Sequence, residues 1–351
     1  MVPPNRCTYI LCTVGHEPIE LDIFNHHDPF NHVYLTYWVR SFQWIEAATA
    51  LSGLTFYVVW DFQQIPDLPS YGEHVVALLL RDEYCAMPHY LDRVRFVFKN
   101  YGFWPWLSPT LRGKSLVTML KFMKDAANWA GHYARAATRN RHLRPGPNRL
   151  VMPLGYARQT DVPVRRFDAR RYVVSFLGSV EQRRYSLLSP QAWLGTPKSI
   201  ARSVMIDGLQ ALAARMPNLV YLGSTDSFDD SILTDGHRYS ELMSETKICL
   251  APRGSSVETY RFFEAMRQGC VIICDRLPPH WFYEQCPAIQ IDDWHDLEET
   301  VDGLLADPGS LLGLHLKTLE WWNAICSEEA IAKIMASCLD PTFDPASPTA
   351  H

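Results

Sequence analysis

Residues 247–275, KICLAPRGSSVETYRFFEAMRQGCVIICD, leave the chain little choice of local structure. An apolar run ending at Ala251 meets a turn of small residues, Pro252-Arg-Gly-Ser-Ser256. A helical stretch follows, then Gly269 and a second apolar run to Cys274. Two short strands joined through a helix cannot form a hairpin and must lie parallel. The turn then sits where a strand ends and a helix begins, and unpaired backbone N–H groups and the positive end of a helix dipole suit a phosphate there.

Within the turn, Ser255 and Glu258 have capping-box spacing, which predicts a helix from about residue 256. Gly254 allows a ligand close to the backbone. Arg261 and Glu264, three apart, share a helix face. There the guanidinium can neutralise a phosphate leaving group and the carboxylate can accept from ribose hydroxyls. An ordinary strand–helix unit with a surface ion pair fits the same spacing. Gly269 is placed to stop the helix.

At 351 residues the chain fits two domains, and an apolar content of 47% can fill both cores. A net charge of −5 argues against a nucleic-acid partner. Nine cysteines without a C-x-x-C pair indicate free thiols in a reducing compartment. No signal peptide is recognised in residues 1–14, and no run approaches the roughly 20 apolar residues of a membrane span. A cytoplasmic protein, soluble or at most peripheral on a membrane, is expected.

Along the chain, strands are predicted at residues 9–14, 54–60, 75–80, 94–98, 172–177, 220–222 and 288–291. Helices are predicted at 34–51, 111–137, 200–215, 239–245, 297–305 and 312–338. Alternating strands and helices imply an α/β chain with two Rossmann-like parallel sheets, ligands binding at the carboxyl ends of the strands. Arg144-Pro-Gly-Pro-Asn148 marks a turn shortly before the expected boundary. The division is a first domain over 1–160, a second over 161–315, closing helices over 316–340 and a tail over 341–351.

Cys249-Leu-Ala-Pro-Arg-Gly-Ser-Ser followed by Arg261-Phe-Phe-Glu-Ala-Met-Arg-Gln-Gly-Cys270 resembles the signature of exostosin-like glycosyltransferases, with Ile272 where that family often has proline. Phe176-Leu-Gly-Ser179 with Arg202, Val151-Met-Pro-Leu-Gly-Tyr156 and Trp321-Trp322 extend the resemblance over residues 150–338. It implies the two-domain architecture called GT-B, its last helix packing back on the first domain, and inverting sugar transfer from a nucleotide sugar, usually UDP-linked. The acceptor would be a hydroxyl of a glycan or glycolipid, as in polysaccharide biosynthesis. Donor contacts would fall on Gly178, Ser179, Arg202, Pro252, Arg253, Gly254, Ser255, Ser256, Arg261 and Glu264. No metal and no cofactor are expected, the nucleotide sugar being a substrate. A GDP-sugar transferase of the same fold and a catalytically silent glycan-binding protein are the alternatives.

An inverting transfer needs a base for the acceptor proton. Asp82 and Glu83 follow one predicted strand and the pair His16 and Glu17 another, where cleft residues belong; Asp61 is a further option. Helix capping or loop ion pairs would explain the same residues. Tyr101-Gly-Phe-Trp-Pro-Trp106 can stack on sugar rings or plug a core, and Arg139, Arg141 and Arg144 read as a solvated helix end that can also meet an anionic acceptor or a lipid surface. His26, His27, Asp28 and His32 match no firm zinc spacing, and Asp226, Asp229 and Asp230 read as a solvated loop.

Overall fold

The computed structural model describes residues 6–25, 35–110, 112–139, 148–157, 160–179, 195–225 and 236–344. The chain forms two units. One comprises Met1–Pro105, Lys124–Gly155 and Ile325–His351; the other comprises Trp106–Met123 and Tyr156–Ala324.

The first unit is built on a six-stranded sheet. Strand β1 (Thr8–Cys12) pairs antiparallel with the short β2 (Ile19–Glu20) and parallel with β3 (Thr55–Trp60). Helix α1 (Leu35–Ala48) makes the crossover, burying Leu35, Trp38, Phe42 and Ile45, positions that recur with helical spacing. Strands β4 (Gly72–Leu80) and β5 (Val94–Lys99) continue the parallel sheet. All six residues from Val75 to Leu80 are buried, the pattern of a strand covered on both faces. Helix α2 (Leu116–Arg139) follows, its first two turns counted with the second unit. It runs unbroken through Gly131, and it starts later than expected because the Ser115 hydroxyl accepts from the Thr118 N–H. Strand β6 (Arg149–Val151), which the sequence reading missed, pairs with β5.

The second unit holds a five-stranded parallel sheet. Its elements are β7 (Tyr172–Ser179), α3 (Pro197–Arg215), β8 (Val220–Thr225), α4 (Gly236–Ser244), β9 (Thr246–Ala251), α5 (Tyr260–Arg267), β10 (Val271–Asp275), β11 (Ile289–Ile291), α6 (Leu297–Ala306) and α7 (Pro308–Trp321). Val174, Phe176, Ile248, Leu250 and Ile273 of the strands pack with Met205 and Leu209 of α3 and Leu297 of α6 in one core. The spatial order is β11-β10-β9-β7-β8. From β7 the chain moves outward to β8, then returns past β7 to β9 and continues the other way. Such a reversal opens a crevice at the carboxyl ends of its two central strands, here β7 and β9.

The single helix expected over 312–338 is broken. A π-helical turn (Trp322–Cys326) ends α7, and Ser327, whose hydroxyl accepts from the Ala330 N–H at 3.2 Å, starts α8 (Glu328–Leu339). Glu328 and Glu329 in the first turn suit the helix dipole, so the start signal was present in the sequence. Helix α8 belongs to the first unit and packs on α1, with Arg40 and Glu328 at 3.7 Å and the Tyr37 hydroxyl donating to the Cys326 carbonyl at 2.8 Å. All nine cysteines are free thiols.

Candidate anion site at the switch point of the second sheet

Three cationic side chains converge where β7 and β9 end. Thr196 caps α3 in a reciprocal box with Ser199, and Pro197 occupies the first helical turn. The helix start so fixed puts Lys198 and Arg202 four residues apart on one face. Lys198 Nζ donates to Ser179 Oγ at 2.9 Å. Arg202 donates to the Ser179 carbonyl and, at 3.1 Å, to the Arg253 carbonyl. From the other side Arg261 donates through Nε to the Leu177 carbonyl at 2.8 Å, its guanidinium 4.5 Å from the centre of the Phe176 ring. A Cβ at Gly178 would collide with Nη2 of Arg261 and lie 3.1 Å from its Cζ, so only glycine lets Arg261 lie across the strand end.

Neither Arg202 nor Arg261 has a carboxylate partner among the described residues; both spend their hydrogen bonds on carbonyls. Arg202 is 5% exposed. Burial first, then the neighbouring Arg261 charge, push its pKa down to about 9 against the opposing pull of Asp275, so it stays charged at neutral pH. Arg261 Nη1 and Thr259 Oγ1 are buried without a hydrogen-bond partner. Neighbouring guanidiniums that no described carboxylate pairs directly, beside orphaned polar atoms, are stabilised by an anion.

The turn over residues 252–259 is tied down on both sides. The Arg253 N–H donates to Asp275 Oδ2 at 2.8 Å, and Trp294 Nε1 donates to the same oxygen at 3.2 Å. The Gly254 N–H donates to the Ser256 carbonyl. Pro252 is buried and Ser255 exposed. The expected capping box does not form: α5 begins at Tyr260, behind Thr259, which makes no side-chain cap. Glu258 is drawn inward instead, 4% exposed, where it accepts from the Tyr283 hydroxyl at 3.1 Å and lies 3.6 Å from His280 Nε2. A carboxylate that finds a buried hydroxyl donor cannot also reach back to cap a helix. Gly269 ends α5 with φ of 69°, as its place in the sequence suggested.

Glu264 shares the helix with Arg261 but not its surroundings. Its Oε1 accepts from the Ala157 N–H at 3.0 Å and its Oε2 from the Tyr239 hydroxyl at 2.8 Å. Burial raises its pKa to about 7, although both donors and the charges of Arg261 and Arg267 act to lower it. At least one lone pair on each oxygen is thus committed to the protein.

In the first unit, Asp82 is 0% exposed and faces Lys99 Nζ at 3.1 Å, with Lys99 also 0% exposed. Its oxygens accept from Gln63 Nε2, Tyr84 N–H and Ala86 N–H as well. With four donors around two oxygens, Asp82 has no lone pair left for an acceptor hydroxyl, and the base role expected of it does not fit. Its neighbour Glu83 is half-buried, and His16 is exposed in the turn after β1. Asp61, Arg81 and Tyr101, which follow β3, β4 and β5, adopt φ of 68°, 61° and 60°. Non-glycine residues rarely hold that conformation, and such strain gathers at functional edges. In the aromatic run Tyr101 and Phe103 are core, while Trp104 is 47% exposed. His26, His27, Asp28, His32, Arg141, Arg144, Asp226, Asp229, Asp230 and the side chain of Arg139 lie outside the described residues. Among the described residues no three His, Cys, Asp or Glu side chains converge as metal ligands, and no helix is long and apolar enough to cross a membrane.

Sequence reading did not pick out Lys198, Asp275 or Lys99, and it read Glu258 only as a helix cap. A signal existed for Lys198, four residues before Arg202 and just after a Thr-Pro helix start. None existed for Lys99, which reads as the polar end of an apolar strand.

No family model and no curated protein matches the chain. Among solved structures, it is similar to the GtfA/B complex (11% identity, 76% of this chain and 57% of that one, TM-score 0.39). It is similar to TarM of S. aureus, in a complex with fondaparinux, alpha-GlcNAc-glycerol and UDP (9% identity, 87% and 59%, TM-score 0.42). It is also similar to AviGT4, a glycosyltransferase involved in avilamycin A biosynthesis (9% identity, 96% and 97%, TM-score 0.38). The chain spans 57% and 59% of the length of the first two.

Proposed function

We propose that the protein is an inverting, metal-independent glycosyltransferase of the GT-B type, related to the exostosin-like enzymes, with a UDP-sugar as donor. The observation that carries this reading is the pairing of Arg202 and Arg261, both without a carboxylate partner among the described residues, beside the glycine-bearing end of β7. Two fixed guanidiniums and the Lys198 ammonium would hold the donor's diphosphate and neutralise the charge that develops as the sugar departs. In that role they stand in for a divalent cation. Gly254, where a Cβ would meet only ordinary contacts, leaves room for a ligand against the turn. The acceptor proton would pass to Glu83 or His16, each at the carboxyl edge of the first unit's sheet, and the acceptor would be a hydroxyl of a glycan or glycolipid.

The test is calorimetric titration with UDP and GDP, followed by mass spectrometry of nucleotide release from a donor panel. UDP binding that weakens at least roughly tenfold in Arg261→Ala supports the reading. Equal affinity in wild type and variant would refute the anion site, and a preference for GDP would move the donor to the other nucleotide.

A further inference from the structure

Helix α2 carries a row of large apolar side chains in water. Leu116, Leu120 and Met123, at helical spacing, are 72%, 51% and 66% exposed. Ala127, Ala130 and Ala134 are exposed and continue the row. The opposite face is the packed one: Thr118 and Ala136 are buried, and Trp129 Nε1 donates to the Phe103 carbonyl at 2.7 Å. The apolar row is therefore a second stripe, separate from the one that packs the helix onto the protein.

Cations flank that row. At 100° per residue, Lys124, Arg135 and Lys121 lie roughly 40–100° around the helix from Leu120. Arg112 is paired with Asp296 at 2.6 Å. Residues 113–139 contain Lys114, Lys121, Lys124, Arg135 and Arg139 against Asp125, five less one, or +4 in a chain of net −5. Basic side chains with long apolar stems beside exposed leucines are the composition of a helix lying in a lipid interface, stems in the acyl boundary and charges at the headgroups. A second copy would bring the same positive charge against itself.

We propose that the outward face of α2 rests on an anionic lipid surface, with Leu116, Leu120 and Met123 in the acyl boundary and Lys121, Lys124 and Arg135 against lipid phosphates. The proposal is independent of the sugar-transfer reading. The test is co-sedimentation of the full chain with phosphatidylcholine vesicles containing or lacking phosphatidylglycerol. Binding only to the anionic vesicles, weakening as salt is raised, is expected. The surface variant Leu120→Ser/Met123→Ser should lose roughly tenfold or more in partitioning, and Lys121→Glu/Lys124→Glu a similar factor, with melting temperatures unchanged. Absence of binding at low salt, or variants that bind as wild type does, would overturn the proposal. So would a wild-type dimer in sedimentation velocity that the Leu120→Ser/Met123→Ser variant abolishes, since a second copy would then cover the stripe.

Discussion

Replacing Lys99 with methionine removes one half of the buried pair in the first unit and keeps the side chain's length. Asp82 would then face the interior as an uncompensated carboxylate, with three neutral donors in place of a charge. The carbonyls of Asn100 and Gly102, which Lys99 Nζ reaches at 3.2 and 2.6 Å, would lose their donor too. Breaking a fully buried pair in this way costs about 3–5 kcal/mol. In a unit of this size each kcal/mol moves the melting temperature by about 2–4 °C, so Lys99→Met should melt roughly 6–20 °C lower by calorimetry at neutral pH. Burial pushes the Asp82 carboxyl up, yet the Lys99 charge and the donors around it hold it below the usual carboxylate range. In the wild type the pair's stabilisation is therefore present above the unfolded pKa of about 3.9 and lost as pH falls through the depressed folded value. In Lys99→Met burial is no longer opposed by a charge. Asp82 can protonate at mild acidity, and the deficit should shrink as pH is lowered. The double change Asp82→Leu/Lys99→Met should recover only the part of the loss due to the bare charge, because the Gln63, Tyr84 and Ala86 donors and the Asn100 and Gly102 carbonyls stay without their Asp82 and Lys99 partners. A single variant that melts within about 2 °C of wild type at neutral pH would show that the pair is not the buried anchor described.

Two further outcomes bear on the second unit. Gly178→Ala should displace Arg261 from the Leu177 carbonyl and the Phe176 ring and weaken UDP binding roughly tenfold or more, while UDP affinity equal to wild type would refute the close approach. Glu264, raised from 4.5 to about 7, keeps its proton longer in the folded than in the unfolded state, so its contribution is full below about 4.5 and is lost as pH rises through 7. Glu264→Gln should therefore flatten the fall in chemical-denaturation stability across that window, worth about 3 kcal/mol in the wild type, and an unaltered slope would exclude Glu264 as its source.

Most of the fold was legible because burial on both faces leaves strands apolar from end to end, as in residues 75–80 and 271–274. Gly178 and Arg202 were singled out only through the resemblance to exostosin-like enzymes, and the structure brings them beside Arg261 at the end of β7. The choice between Ser255 and Tyr283 as the partner of Glu258 was not legible, because it depends on a hydroxyl 25 positions away. Asp82 misled for the same reason. An acidic residue at a strand end looks like a cleft residue until Lys99, 17 positions on, is seen to neutralise it. Short-range pattern reports backbone form well and says little about which distant side chain claims a charge.

The return of α8 to the first unit bears on the order in which the molecule is made. The Tyr37 hydroxyl bonds a carbonyl 289 positions later, and α1 completes its packing only with α8. A ribosome releases every residue of the second unit before residue 328 appears, so the second unit can close while the first still waits with the α8-facing side of α1 bare. Domains usually fold in the order they emerge. Here the unit begun first is finished last.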